Sequence, residues 1–179
     1  MKEMEIMFIE FIRNNKVVAG VLAIIRVYLG YTWLTAGLGK VTGGFEAGGF
    51  IQGAIANAGG DNPTVQGWWG VFLEKFALPN AELFSLMVAW GEVLVGAALI
   101  LGIFTTFAAL MGITMNFAFL FSGTVSTNAQ MVILTLIVLV AGFNAGKYGL
   151  DRWVIPFIEN YARKEKNNNE VENKEVVKV

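Results

Sequence analysis

The sequence predicts an all-α integral membrane protein: a bundle of four transmembrane helices with a long Gly- and Trp-rich extracytoplasmic loop between the first and second. Three observations carry this. Of 179 residues, 55% are hydrophobic and only 15% are charged, less charge than a soluble domain of this size needs at its surface. The apolar residues fall in long runs, about 17–39, 83–103, 106–122 and 130–146. Those runs are separated by Gly-rich or polar breaks, and no internal repeat divides them. One membrane domain over residues 17–155 is expected, between a leader (1–16) and a charged tail (156–179).

Residues 1–16 mix charge with Ile6, Phe8, Ile9, Phe11 and Ile12. This pattern suits either a short interfacial helix or a frayed polar leader. The run 17–39 is long enough, at roughly 1.5 Å per residue, to cross a hydrocarbon core of about 30 Å. It exceeds a signal-peptide core, and no A-x-A site follows it. Segment 41–82 contains GGFEAGGF and AGGDNP. A short helix is expected around Phe50–Ile55, and an interfacial one where Trp68, Trp69, Phe72, Leu73 and Phe76 recur at helical spacing. Pro79-Asn80 reads as a stop and an N-cap for the second span. From about residue 163 the chain is polar and lacks aromatic side chains, a composition that predicts disorder.

Lys and Arg near the span ends set orientation. Lys2, Arg13 and Lys16 flank the first span, and Lys147, Arg152, Arg163, Lys164 and Lys166 follow the last, whereas the 41–82 loop offers only Lys40 and Lys75. Both termini are expected on the cytoplasmic side of a multi-pass protein of the cytoplasmic membrane.

Composition also removes chemistries. There is no cysteine and no histidine, so thiolate catalysis, iron–sulfur ligation, His-held haem and a His base are excluded within this chain, and no metal site is expected. A net charge of −1 offers no basic field for nucleic acid.

The candidate site comes from charges inside the apolar runs, which are costly and mark functional sites by default. Arg26, Gly30, Trp33, Gly37 and Lys40 share one helix face, as do Ser85, Ala89, Glu92 and Gly96 on the next span and Ala109, Gly112, Asn116 and Gly123 on the third. Small residues on such faces let backbones approach. Midpoints near residues 28 and 93 put Arg26, Glu92 and Asn116 at one depth, with Trp33 and Lys40 toward the outer surface. An unpaired central arginine costs about 2.5–3.5 kcal/mol on insertion scales, and pairing with Glu92 would offset much of it. Two readings stay open: a buried ion pair that fixes helix register, or a polar pocket. For the pocket, a quinone is the suitable ligand, with Arg26, Trp33, Lys40 and Asn116 as donors to its carbonyl oxygens and Glu92 exchanging protons. GLGKVT is no phosphate loop, since Leu34 stands where the first glycine belongs and Val41 follows Lys40. Asn128 and Asn144 read as helix-end caps.

Three stretches, Arg26–Lys40, GEVLVGAALILGIFTTFAAL at 91–110 and AGKYGLDRW at 145–153, resemble the DoxX/DoxD-like membrane proteins over roughly residues 20–155. The resemblance implies a four-helix membrane bundle. Through the DoxD members it also implies a subunit of a thiosulfate:quinone oxidoreductase that works beside partner redox subunits, with Arg26, Lys40 and Glu92 at the family's polar intramembrane positions. Thr106 stands where such proteins often carry an arginine. The competing expectation is a non-enzymatic membrane scaffold or small-molecule binder in which the ion pair is structural.

Overall fold

The computed structural model describes residues 2–176. All regular structure among them is helical. Helix α1 (Lys2–Asn14) ends at Asn15, whose Oδ1 accepts from the amides of Val17 (2.7 Å) and Val18 (3.2 Å) and so starts helix α2 (Lys16–Gly43). Gly44, at φ 68°, closes α2. Its 28 residues span about 42 Å.

The loop expected over 41–82 is a folded cap. Helix α3 (Ala47–Ala56) and helix α4 (Gly67–Phe72) bury Ile51, Ala54, Val65 and Leu73 in a small core of their own. Pro79-Asn80 does not stop the chain. The path from α4 continues through a π turn (Leu73–Ala77) and a 3-10 turn (Leu78–Asn80) directly into helix α5 (Ala81–Leu101). Looser and tighter turns absorb the proline, whose missing N–H falls where the helical ladder changes type. Asn80 is therefore not a side-chain cap, and its Nδ2 donates instead to Phe76 O at 2.7 Å.

Helix α6 (Thr105–Phe121) and helix α7 (Asn128–Ala141) complete the bundle. Helix α2 packs on α5, α5 on α6, α6 on α7, and α7 back on α2. The fourth apolar run is interrupted at Gly142 (φ 56°, ψ −129°), after which a single turn, α8 (Phe143–Gly146), leads to helix α9 (Asp151–Val176). Residues 156–176 of the tail, where composition predicts disorder, belong to this helix. Beyond Tyr161 the lack of aromatics denies the segment a core, but Pro156 is its last proline, no glycine follows, and Glu159 precedes Arg163 by one turn, a spacing that supports a solvated helix. Residues 177–179 lie outside the described residues.

Asn144 does not cap its own helix. Its Nδ2 donates to Ile12 O (2.7 Å) and Asn15 O (3.1 Å), and Arg13 Nε donates to Val140 O (3.1 Å), so the α1–α2 joint is tied to the end of α7. Asn128 opens α7 and donates back to Thr124 O.

Burial is inverted relative to a water-soluble bundle. Ile24, Leu94, Phe107 and Ile133 are more than 60% exposed on the outside of α2, α5, α6 and α7, while Arg26, Glu92, Asn116 and Thr135 are 2% exposed or less. That distribution suits an apolar solvent around the bundle. The tightest seam joins α2 and α5, which run antiparallel. A Cβ on Gly30 would lie 2.8 Å from Gly96 O, one on Gly37 would lie 2.6 Å from Val93 N, and one on Gly96 would meet the backbone of Leu34. Nothing lies within 4 Å of the corresponding position on Gly20. One substitution should therefore act with opposite signs on two helical glycines. Gly20→Ala should stabilise by about 0.5–1 kcal/mol through helix propensity, whereas Gly96→Ala should destabilise by about 1–3 kcal/mol through overpacking. Thermal denaturation of both variants in one detergent tests this, and equal shifts would remove the seam from the account.

Candidate functional site

Lys40 lies in the last turn of α2, and Glu92 near the middle of α5. Because Gly37 rests on Val93 and on the Cβ of Glu92, the antiparallel register carries the Lys40 side chain over Glu92. Lys40 Nζ and Glu92 Oε2 are 2.7 Å apart, the only ion pair within 4 Å among the described residues. The carboxylate is buried, whereas the lysine side chain keeps 24% of its surface exposed. The ammonium also lies over the rings of Phe45 (5.5 Å) and Phe119 (5.9 Å), within reach of a cation–π attraction.

A cavity of about 250 Å³ opens beside this pair. Trp33, Lys40 and Glu92 line it together with Phe45, Phe50, Phe119 and Met131, and the α6–α7 connection contributes Thr124, Ser126, Thr127 and Asn128. An apolar, aromatic wall with a few convergent polar groups is the usual make-up of a small-molecule site. Its volume lies just under the usual range of about 300–1,000 Å³, which suits a single ring rather than a drug-sized ligand. The buried Trp33 Nε1 has no hydrogen-bond partner in the protein, and it faces Gly112 of α6, so the indole reaches the cavity through its ring.

Of the expected site residues, the structure brings Trp33, Lys40 and Glu92 together. Asn116 does not line the cavity. It is fully buried in α6, with both amide atoms unpartnered, one turn beyond Gly112, which packs against the Trp33 indole. It therefore sits deeper in the bundle, on the face of α6 that backs Trp33.

The expected pairing of Arg26 with Glu92 is not present. Arg26 packs against Gly102, which caps α5 ten residues beyond Glu92, or about 15 Å along the axis. The reason is register. The α2–α5 seam is fixed by Gly30, Gly37 and Gly96, and α2 continues to Gly43, so the midpoints of the two apolar runs do not face each other. At its own level Arg26 Nη2 donates to Tyr148 O at 3.3 Å. A Cβ on Gly102 or Gly149 would collide with its Nη1. The acidic charge acting on it is that of Asp151.

Asp151 was not anticipated as a partner. It is buried, and its two oxygens accept from the amides of Phe104 (2.6 Å) and Thr105 (2.9 Å) at the start of α6. Phe104 has φ 48°, a left-handed conformation that costs a non-glycine residue about 1–2 kcal/mol. The Asp151 carboxylate offsets that cost by capping the helix, with the favourable sense of the helix dipole. The signal was present in AGKYGLDRW: an acidic residue opening a helix just after two glycines, and a buried arginine in need of a partner. Thr106, next to this cap, is exposed and makes no side-chain bond. No group of three or more metal-ligating side chains occurs among the described residues.

Two helical segments are long and apolar enough to cross a bilayer, Lys16–Gly43 and Gly67–Leu101, and with the apolar outer shell they mark a helical membrane protein. A family model described as DoxX matches residues 21–124, more than half of the 179 residues, and the chain belongs to the DoxX family. No curated protein and no solved structure matches it.

The two charged centres should separate by mutation. Asp151→Ala should lower thermal stability by roughly 2–4 kcal/mol, because two amides lose their acceptor and a buried cation loses its nearby counter-charge. A double-mutant cycle with Arg26→Met should show a coupling of about 0.5–3 kcal/mol. Additive effects would mean that Asp151 acts on the cap alone.

Proposed function

We propose that the chain is a four-span protein of the cytoplasmic membrane that binds a quinone head group in the Lys40–Glu92 cavity, as the membrane subunit of a quinone-linked oxidoreductase of the thiosulfate:quinone kind. The observation that carries this is a buried carboxylate paired with a half-buried ammonium on the wall of an aromatic cavity of ring size. A quinone head is a flat apolar ring with two acceptor oxygens. Lys40 has three donors and spends one on Glu92. Lys40 donates to a ring oxygen, and the phenylalanines and the Trp33 indole pack on the ring. Reduction to the quinol takes up two electrons and two protons. The electrons come from a reductant held by a partner subunit, and the Glu92–Lys40 pair passes protons to the oxygens. In this reading Arg26 is structural and Asn116 acts behind Trp33.

The orientation follows the positive charge. Arg13, Lys16, Lys147 and Arg152 gather at the end where α1, α8 and the start of α9 meet, a distribution that supports a topology with the termini inside and the α3–α4 cap outside. Helices α6 and α7 are short for spans, at 17 and 14 residues, but they pack alongside the two long ones and present the same apolar outer surface.

A second reading, a membrane scaffold with a structural ion pair, is favoured by one observation: Lys40 is already held by Glu92 and two rings without any ligand. The readings differ in a measurable way. Glu92→Gln and Lys40→Met should each weaken quinone binding at least tenfold, measured by tryptophan quenching of protein in neutral nanodiscs. Lys40→Met alone should also cost roughly 1–3 kcal/mol of stability, since it leaves Glu92 buried without a partner. The double variant Lys40→Met, Glu92→Leu should regain stability but not binding. Binding that survives in the double variant would sink the quinone reading and leave the scaffold.

A further inference from the structure

A second cavity, of about 90 Å³, lies under the α3–α4 cap and shares one wall with the first. Phe45, Phe50 and Phe119 line both. On one side of this partition stand Lys40, Glu92 and Trp33. On the other stand Ile51, Trp69, Phe72, Val88 and Ala118. The one hydroxyl that borders the small cavity, Ser122 Oγ, is spent: it accepts from Trp69 Nε1 (2.9 Å) and donates to Ala118 O (2.8 Å). No unpartnered polar side-chain atom borders it, so only hydrocarbon is a fitting occupant.

Size narrows the occupant further. A cavity of about 150 Å³ takes a benzene ring. The small chamber is well below that, and by the same scale holds roughly four carbons, the branched end of a five-carbon unit. A ring is excluded from it, whereas a short branched stretch of chain fits. The larger chamber has the opposite character, with ring-sized space and a charge pair on its wall. The partition between them is made of side chains rather than backbone. Its Phe50 and Phe119 meet edge to face with centroids 6.0 Å apart.

We propose that the two chambers bind a single amphiphile: a flat polar ring beside Lys40 and Glu92, with the first branched hydrocarbon unit of its chain beyond the Phe45–Phe50–Phe119 partition. The inference rests on the quinone reading for the ring and adds a chain subsite that sets the ligand class, a ring bearing at least one isoprene-sized substituent. Ala118 and Val88 are specificity-determining residues of that subsite, contributed by α6 and α5.

The test uses the full chain in neutral phosphatidylcholine nanodiscs. The probes are a dimethoxy-methyl-benzoquinone without a chain and the same head group with one isoprene unit, read by tryptophan quenching. Wild-type protein should bind the one-isoprene compound at least tenfold more tightly than the bare head. Ala118→Leu, which fills the small chamber, should reduce that ratio below threefold. Val88→Phe fills it from the opposite helix and should do the same, which covers the case in which either variant fails to fold. Because both ligands are compared in the same bilayer, a gain due only to partitioning would persist in the variants. A ratio unchanged by either folded variant overturns the chain subsite while leaving the head-group reading intact. No binding of either compound to wild-type protein overturns both.

Discussion

The backbone contact between α2 and α5 decides where every charge in this molecule can sit. Gly30, Gly37 and Gly96 bring the two helices to a separation that any Cβ would prevent. Helices in close contact cannot slide by a residue without moving a side chain into the seam. With the register locked, Lys40 has one acidic partner within reach, Glu92, while Arg26 is carried to the far end of α5, beside Gly102. The cap over the outer end follows from the same seam. Chain leaving α2 at Gly44 must return to the start of α5, and Ser85 Oγ on α5 meets the Ala47 amide at the start of α3 at 2.8 Å.

Two charged groups of α2 are thus stabilised in different ways. Arg26 is enclosed by backbone: one carbonyl, two glycines and the nearby Asp151, which is itself committed to two amides. The α5–α6 and α8–α9 turns meet around it, tied further by Leu150 N to Leu101 O and Asp151 N to Gly102 O. This is a clamp, and its role is to hold four chain segments together. Lys40 is enclosed by side chains, a carboxylate and two aromatic rings, which are able to rearrange.

Most of the helical framework was legible because apolar runs and Gly or polar breaks are local signals. The ends of α5 and α6 fall within two residues of expectation, and α2 differs mainly in running on to Gly43. Chain segments whose form depends on distant partners were not legible. Pro79-Asn80 carries the local signature of a stop, yet the packed cap keeps the chain helical through it. Lys40, Glu92 and Trp33, which line one cavity, stood out in the sequence because polar groups on small-residue faces are rare in apolar helices. Their pairing could not, since it depends on a register set by glycine contacts and not by span midpoints. Asp151 was hidden for a related reason: its partners, the amides of Phe104 and Thr105, carry no sequence signature.

The contrast between the two centres also shows which of them is suited to chemistry. A site needs hydrogen-bonding capacity left over and a route to it. Arg26 has the capacity, with Nε and Nη1 both unpartnered, but Gly102 and Gly149 press on the guanidinium and close the space a ligand would need. Asn116 and Thr135 likewise keep unsatisfied groups deep in the core, where bound water would be their natural partner. Only at Lys40 does spare capacity meet open volume. Its remaining N–H donors border a cavity, and its partner carboxylate is buried beside it. A neutral acceptor leaves the ion pair intact, whereas a competing anion would have to displace Glu92 from a position fixed by the α2–α5 seam. The contact that sets the helix register therefore also fixes the charged pair that borders open volume.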